Sequence, residues 1–163
     1  SHLIRCLKAA QNVKDAFFLI VGSGTEAGKL RAYVETECPQ NMVLLDAMPK
    51  LEYDAMIAAC DVGLIFLDYR FTIPNFPSRL LAYQQAELPV LACTDPNTDV
   101  GTTVVEGGFG WWCPSNDSEQ FADCVREACM GNLGEMRANA KAHLQQNYAV
   151  EIPARIIDKF MNT

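Results

Sequence analysis

Long apolar runs are missing from this 163-residue chain. The two longest, Phe17–Val21 and Val62–Leu67, fall far short of the roughly 20 residues that a membrane-spanning helix needs. The opening Ser-His-Leu-Ile-Arg-Cys has neither an apolar h-region nor a cleavage site, so no secretory signal is read there. Positive charge is also scarce. Lys and Arg number 13 against 20 Asp and Glu, a net charge of −7 with no basic stripe. That balance argues against nucleic-acid binding, whose affinity comes mostly from neutralised phosphates. His2 and His143 are the only histidines. Neither has the spacing of a metal site or a triad, and both are expected on the surface, His143 on an exposed helix phase. The seven cysteines, Cys6, Cys38, Cys60, Cys93, Cys113, Cys124 and Cys129, contain no C-x-x-C pair, which leaves a zinc site or a thioredoxin motif without support. Most lie in apolar segments, where a free thiol behaves as a small buried hydrophobe. A reducing, cytoplasmic setting follows. Internal repeats and low-complexity linkers are absent as well.

What is present is an alternation of apolar strands and helical periods. The length fits one domain of ~100–200 residues, large enough to need neither disulfides nor a structural metal. Strands are predicted over 17–21, 42–45, 62–67, 90–93 and 109–113, and helices over 25–38, 51–60, 77–85 and 99–106. From Asp117 the chain turns helical, ending in a helix over Val150–Met161 with Pro153 in its first turn. Strands alternating with helices predict an α/β fold, a Rossmann-like parallel sheet of about five or six strands flanked by helices and closed by C-terminal helices. Such sheets bind ligands outside the carboxyl ends of their strands.

The first such loop is Gly22-Ser23-Gly24-Thr25-Glu26-Ala27-Gly28. It admits three readings: a tight turn needing glycine dihedrals, a sugar-nucleotide loop, or a dinucleotide loop with Asp46 as the ribose carboxylate. The spacing is G-x-G-x-x-x-G rather than G-x-G-x-x-G, and Glu26 puts negative charge where a phosphate would dock. Further on, Asp95, Asn97 and Asp99 follow a strand end without the Gly or distal Glu of a calcium loop, which favours turn chemistry. Trp111 and Trp112, adjacent on a strand, should point to opposite faces.

The most informative stretch runs from Ala59 through Asp61-Val-Gly-Leu and Asp68, then Ile73-Pro-Asn-Phe-Pro-Ser-Arg79-Leu-Leu-Ala-Tyr83, then Leu88-Pro-Val-Leu-Ala-Cys93. A buried strand, a polar loop and a helix start carrying a hydroxyl and a guanidinium outline a diphosphate cradle. Plain N-capping by Asn75 or Ser78, with Arg79 solvated, is the alternative. These residues resemble the C-terminal, donor-binding half of GT-B retaining glycosyltransferases of the family 4 kind, which build bacterial surface polysaccharides. The likeness lies in Asp61-Val-Gly-Leu, Phe76-Pro-Ser-Arg-Leu-Leu, Tyr83 and Pro89-Val-Leu-Ala. It extends to Phe18-Leu-Ile-Val-Gly-Ser-Gly, to Val105-Glu-Gly-Gly-Phe-Gly-Trp-Trp (like the family's hairpin before a small strand) and to the closing helices, nearly the whole chain.

The resemblance implies a donor-binding domain for a nucleotide diphosphate-sugar, UDP- or GDP-linked, with no metal or other cofactor. In that role Gly22, Ser23 and Gly24 line the site by backbone, Ala47 and Met48 flank the base, and Asn75, Ser78 and Arg79 hold the diphosphate. The parent enzyme would transfer the sugar with retention to a saccharide or lipid-linked acceptor, with peripheral membrane association of the full enzyme. Where the family usually has two glutamates eight residues apart, this chain has Pro74 and Ala82, and its usual glycine before the Pro-Val is Glu87. The family's phosphate-binding Arg and Lys, and its acceptor-binding half, would lie before Ser1. The chain therefore reads as a fragment, inactive without its N-terminal partner domain. Two rivals stay open: an NAD(P)-binding oxidoreductase domain using the glycine loop and Asp46, and a non-catalytic α/β interaction module.

Overall fold

A strand with apolar residues on both faces must be covered on both faces, and helical crossovers between parallel strands do this. The computed structural model, which describes residues 1–70 and 76–148, has this arrangement. In chain order the elements are α1 (His2–Ala9), β1 (Phe18–Val21), α2 (Ala27–Glu37), β2 (Met42–Leu45), α3 (Lys50–Ala58) and β3 (Gly63–Phe66). They continue with α4 (Ser78–Gln85), β4 (Val90–Thr94), α5 (Asp99–Glu106), β5 (Gly110–Pro114), α6 (Ser118–Met130) and α7 (Leu133–Tyr148). The helix expected over Val150–Met161 lies outside the described residues.

All five strands pair in parallel, but their hydrogen bonds divide them into two sheets, β1-β2 and β3-β4-β5. One sheet was expected. No strand pairing among the described residues joins the β1-β2 pair to the β3-β4-β5 sheet. β4 is buried at every position, as the central strand must be.

Side chains alternate across the second sheet and so build two cores. On one face Ile65, Val90, Ala92 and Trp112 pack with Ile57, Leu80, Val100, Val104, Phe109 and Ala140 from α3, α4, α5, the turn before β5, and α7. On the other, Leu64, Phe66, Leu91, Cys93, Trp111 and Cys113 pack with α1 and α6, through Cys6, Phe121, Ala122 and Val125. The two tryptophans do face opposite ways, each half-buried. A third core joins α1 and α2 to β1-β2 through Leu7, Leu30, Tyr33 and Met42. The opposite face of β1 is less covered, with Leu19 43% exposed.

Several local details follow from physical chemistry. Asp117 caps α6, its carboxylate accepting from the backbone N–H groups of Glu119 and Gln120 at 3.0 Å. Glu87 sits at φ +56°, a left-handed conformation that favours glycine, and its carboxylate reaches Lys141 on α7 at 2.6 Å. The stretch Val105–Trp112 forms the end of α5, a turn and β5, which pairs with β4 in parallel rather than as a hairpin. Leu51, the first residue of the helix predicted over 51–60, is exposed.

His143 departs from its expected exposed position. Its ring is half-buried on α7, 4.9 Å from the Phe109 ring centroid, with Nδ1 2.8 Å from Nε2 of the fully buried Gln84. The helix phase is polar there, but the packing of α7 on α4 covers it.

Two predictions follow. A Cβ at Gly110 would lie 1.9 Å from the carbonyl oxygen of Val90, whereas one at Gly24 meets nothing within 4 Å. Gly110→Ala should therefore lower unfolding free energy by about 3 kcal/mol, the upper end of overpacking costs, and Gly24→Ala by no more than about 0.5 kcal/mol. Urea denaturation checks both. Burial pushes the pKa of His143 below its ordinary 6.5, so the unfolded chain binds the proton more readily. Stability should be at its full value above that pH and fall as the solution is acidified through the lowered pKa. Denaturation midpoints across this interval should slope in the parent chain and flatten in His143→Phe.

Candidate functional site

Parallel strands bring all their carboxyl ends to one edge, and a crossover helix begins at that same edge. The loops after β1 and β2 and the start of α4 accordingly share it. Gly22 leaves β1 with φ +135°, a conformation side chains rarely adopt, and its N–H donates to the Leu45 carbonyl at 3.2 Å. That bond sets Gly22, Ser23 and Gly24 beside the loop carrying Ala47 and Met48. Ser23, Gly24 and Ala47 are exposed, Met48 half-buried. Ser78 and Arg79 open α4 and are exposed, with Pro77 at the cap position and no acidic residue in the first turn. Among the described residues the Arg79 guanidinium makes no ion pair. Asn75, together with Pro74, lies outside the described residues.

Open α/β sheets hold their ligands outside this edge. Glu26, on the glycine-loop side, is engaged by Lys29 at 2.8 Å, and that hydrogen bond holds its carboxyl below the usual pKa. Much of the negative charge expected to repel a phosphate is thus matched within the same turn. On the β3 side, Arg70 forks onto Asp68, Nε to Oδ1 at 2.8 Å and Nη2 to Oδ2 at 2.9 Å. The guanidinium holds the Asp68 carboxyl well below the carboxylate range. Weaker charge interactions link Arg70 to Glu26 and Asp68 to His2. The start of α1 therefore shares this neighbourhood. Its first turn carries no acid of its own.

Neither α1 nor Arg70 was singled out from sequence. The signal for α1 was available in Leu3, Cys6, Leu7 and Ala10, a helical spacing. Asp46, the ribose carboxylate of the dinucleotide reading, is exposed and paired with Arg31 of α2.

At the end of β4, Asp95 is fully buried. Burial alone would push its pKa up, but hydrogen bonds from the Thr98 hydroxyl and the Asn97 N–H outweigh it and leave the carboxyl below its ordinary value. The neighbouring Thr94 hydroxyl donates to the Asp95 carbonyl at 2.8 Å and accepts from Trp112 Nε1 at 3.0 Å. Asp95 and Asn97 thus make a turn, as their spacing suggested. No three His, Cys, Asp or Glu side chains among the described residues are grouped to hold a metal ion. Two open hollows, of about 450 and 490 Å³, lie beside the end of α5 rather than at the carboxyl edge.

Comparison with known proteins decides the family. Residues 2–130 match the family described as "Glycosyl transferases group 1". The chain belongs to that family. It is 30% identical over 146 residues to the probable glycosyltransferase WbjE of Pseudomonas aeruginosa, covering 88% of this chain and 36% of WbjE. It therefore spans about a third of that curated relative. Its fold is similar to that of the pneumococcal O-GlcNAc transferase GtfA, solved with UDP and GlcNAc (TM-score 0.74, 18% identity, 99% of this chain and 32% of GtfA). It is also similar to Anabaena HepE, solved with UDP-glucose (TM-score 0.72, 19% identity, 99% of this chain and 44% of HepE). This group 1 glycosyltransferase chain thus has the α/β fold of those enzymes, with parallel strands and closing helices.

The β4 turn rests on a buried carboxylate held by its neighbours. Removing the Thr98 hydroxyl leaves that carboxylate short of a donor, so Thr98→Val should cost about 1–3 kcal/mol by urea denaturation. Exposed Thr102→Val should cost no more than about 0.5 kcal/mol.

Proposed function

We propose that the chain is the donor-binding domain of a retaining glycosyltransferase, taking a UDP- or GDP-sugar at the carboxyl edge of the strands. The observation that carries the reading is the presence at that edge of an open glycine turn and of the α4 start, free of acidic first-turn residues. Such a start presents unpaired N–H groups and a positive dipole end to an anion. Gly22, Ser23 and Gly24 approach the ligand by backbone, Ala47 and Met48 flank the base, and Ser78 and Arg79 hold the diphosphate with Asn75 from the preceding segment. The UDP-bound relatives support the choice of ligand class. No metal or cofactor enters this reading.

The same proposal makes the chain one part of a larger enzyme, acting with an acceptor-binding domain on a saccharide or lipid-linked acceptor and inactive without it. Its share of WbjE, 36%, supports this, as do the edges of β1 and β3, which carry no strand partner among the described residues. The setting is cytoplasmic, with peripheral membrane association belonging to the full enzyme. No helix among the described residues is long and apolar enough to cross a membrane. One observation favours a second reading, a non-catalytic module. Ala82 supplies no carboxylate where the family usually has one, and it packs against the core under α4.

Arg79 gives the test. A cation in the first turn of a helix opposes the dipole by ~0.3–1 kcal/mol unless an anion lies between them. Arg79→Ala should keep the fold and weaken UDP or GDP binding by about 1.5–3 kcal/mol, with Arg79→Lys recovering only part. Calorimetric titration of the parent chain and both variants with UDP, GDP and NAD measures this. Binding of NAD alone, or equal UDP and GDP binding by parent and alanine variant, would contradict the proposal.

A further inference from the structure

A line of four aromatic rings runs from the core to the residues just before α4. Phe109, fully buried in the turn before β5, has its ring centroid 4.9 Å from that of His143. His143 lies 6.0 Å from Tyr148, and Tyr148 lies 5.7 Å from Phe76, each pair tilted rather than parallel. His143 and Tyr148 both belong to α7, and that helix is fastened along α4. Lys141 reaches Glu87, in the turn after α4, at 2.6 Å, and the His143 ring reaches the buried Gln84 at 2.8 Å. Tyr148 then meets Phe76 beyond the opposite end of α4, so the two helices run antiparallel. From Leu80 onward α4 is anchored in the core. Ahead of Leu80 no side chain caps the helix, and Ser78 and Arg79 are exposed. Phe76 and Tyr148 are themselves 42% and 39% exposed. Their contact therefore fixes where the chain enters α4 more than it fills the core.

We propose that Tyr148 is a positioning residue for the nucleotide diphosphate: its ring, backed by His143 and Phe109, holds Phe76 and so sets the entry of α4, where Ser78 and Arg79 meet the phosphates. The inference rests on the donor-site reading above and deepens it, since Tyr148 acts on the site through Phe76 and not on the ligand. A guanidinium fork and the N–H groups of a helix start reward an anion only at hydrogen-bond distance, so a displacement of about 1 Å forfeits much of the contact. An aromatic pair shifts an equilibrium by roughly twofold to tenfold, which sets the size of the expected effect. The contact is between rings, so phenylalanine should serve at position 148 as tyrosine does.

Calorimetric titration with UDP, and with GDP in parallel, tests this on the parent chain, Tyr148→Ala, Tyr148→Phe and Lys141→Ala, with urea denaturation of each. Lys141→Ala releases α7 from Glu87 at the other end of α4 and so reports what a purely structural loosening does. Tyr148→Ala should bind the nucleotide more weakly by a factor in the range above, while Tyr148→Phe and Lys141→Ala bind as the parent does, whatever their denaturation midpoints. Phe76→Ala reads the same contact from its other side. It should weaken binding as Tyr148→Ala does, and the double variant should lose no more than either single one. Parent-like binding by Tyr148→Ala would overturn the proposal, as would equal weakening by Lys141→Ala or additive losses in the double variant. A parent chain that binds neither UDP nor GDP overturns the donor-site reading itself, and this inference with it.

Discussion

Strand β4 is hydrogen-bonded along both edges and buried on both faces, and this one constraint organises the molecule. Its five residues are buried, so their backbone groups must be satisfied by β3 on one side and β5 on the other. Parallel pairing with both neighbours demands crossovers, and the crossovers supply α4 and α5 on one face while α1 and α6 cover the other. The same geometry points β3, β4 and β5 one way, and β1 and β2 run parallel in their own pair. Loops with unrelated sequences, after β1, after β2 and before α4, therefore gather at a single edge. The close approach of Gly110 to the Val90 carbonyl shows how little slack this sheet has.

Most of the architecture was legible because it rests on local signals. Met42–Leu45 and Asp99–Glu106 begin and end where the apolar runs and the capping residues say they should. What could not be read depends on contacts distant in sequence. The division of the strands into a β1-β2 pair and a β3-β4-β5 sheet is a matter of long-range pairing, which no local pattern encodes. His143 lies on a polar helix phase and is covered only because α7 docks on α4 and offers it Gln84. The α1 helix is a different case, since its spacing was visible and the segment is simply short, eight residues.

The candidate site was legible in part, and for a physical reason. Glycine turns and helix starts announce themselves through residues that ordinary side chains cannot replace, as at Gly22. Charge pairing does not. The engagement of Glu26 by Lys29, and of Asp68 by Arg70, changes the electrostatics of the edge without a motif in the sequence. Glu87 shows the converse. The resemblance leads one to expect glycine there, the backbone takes the conformation glycine would take, and a surface ion pair to Lys141 accompanies the exception. Membership of the group 1 glycosyltransferases gives these features a common setting, whereas Pro74 and Ala82 mark where this chain goes its own way.

The proposed donor site is the carboxyl edge, and not the hollows beside α5. Backbone amide NMR shifts recorded during a UDP titration test it directly. The account predicts saturable changes at Gly22–Gly24, Ala47–Met48 and Ser78–Arg79, with Thr103, Gly107 and Gly110 unmoved. Changes confined to the residues of the hollows, with the edge silent, would contradict it.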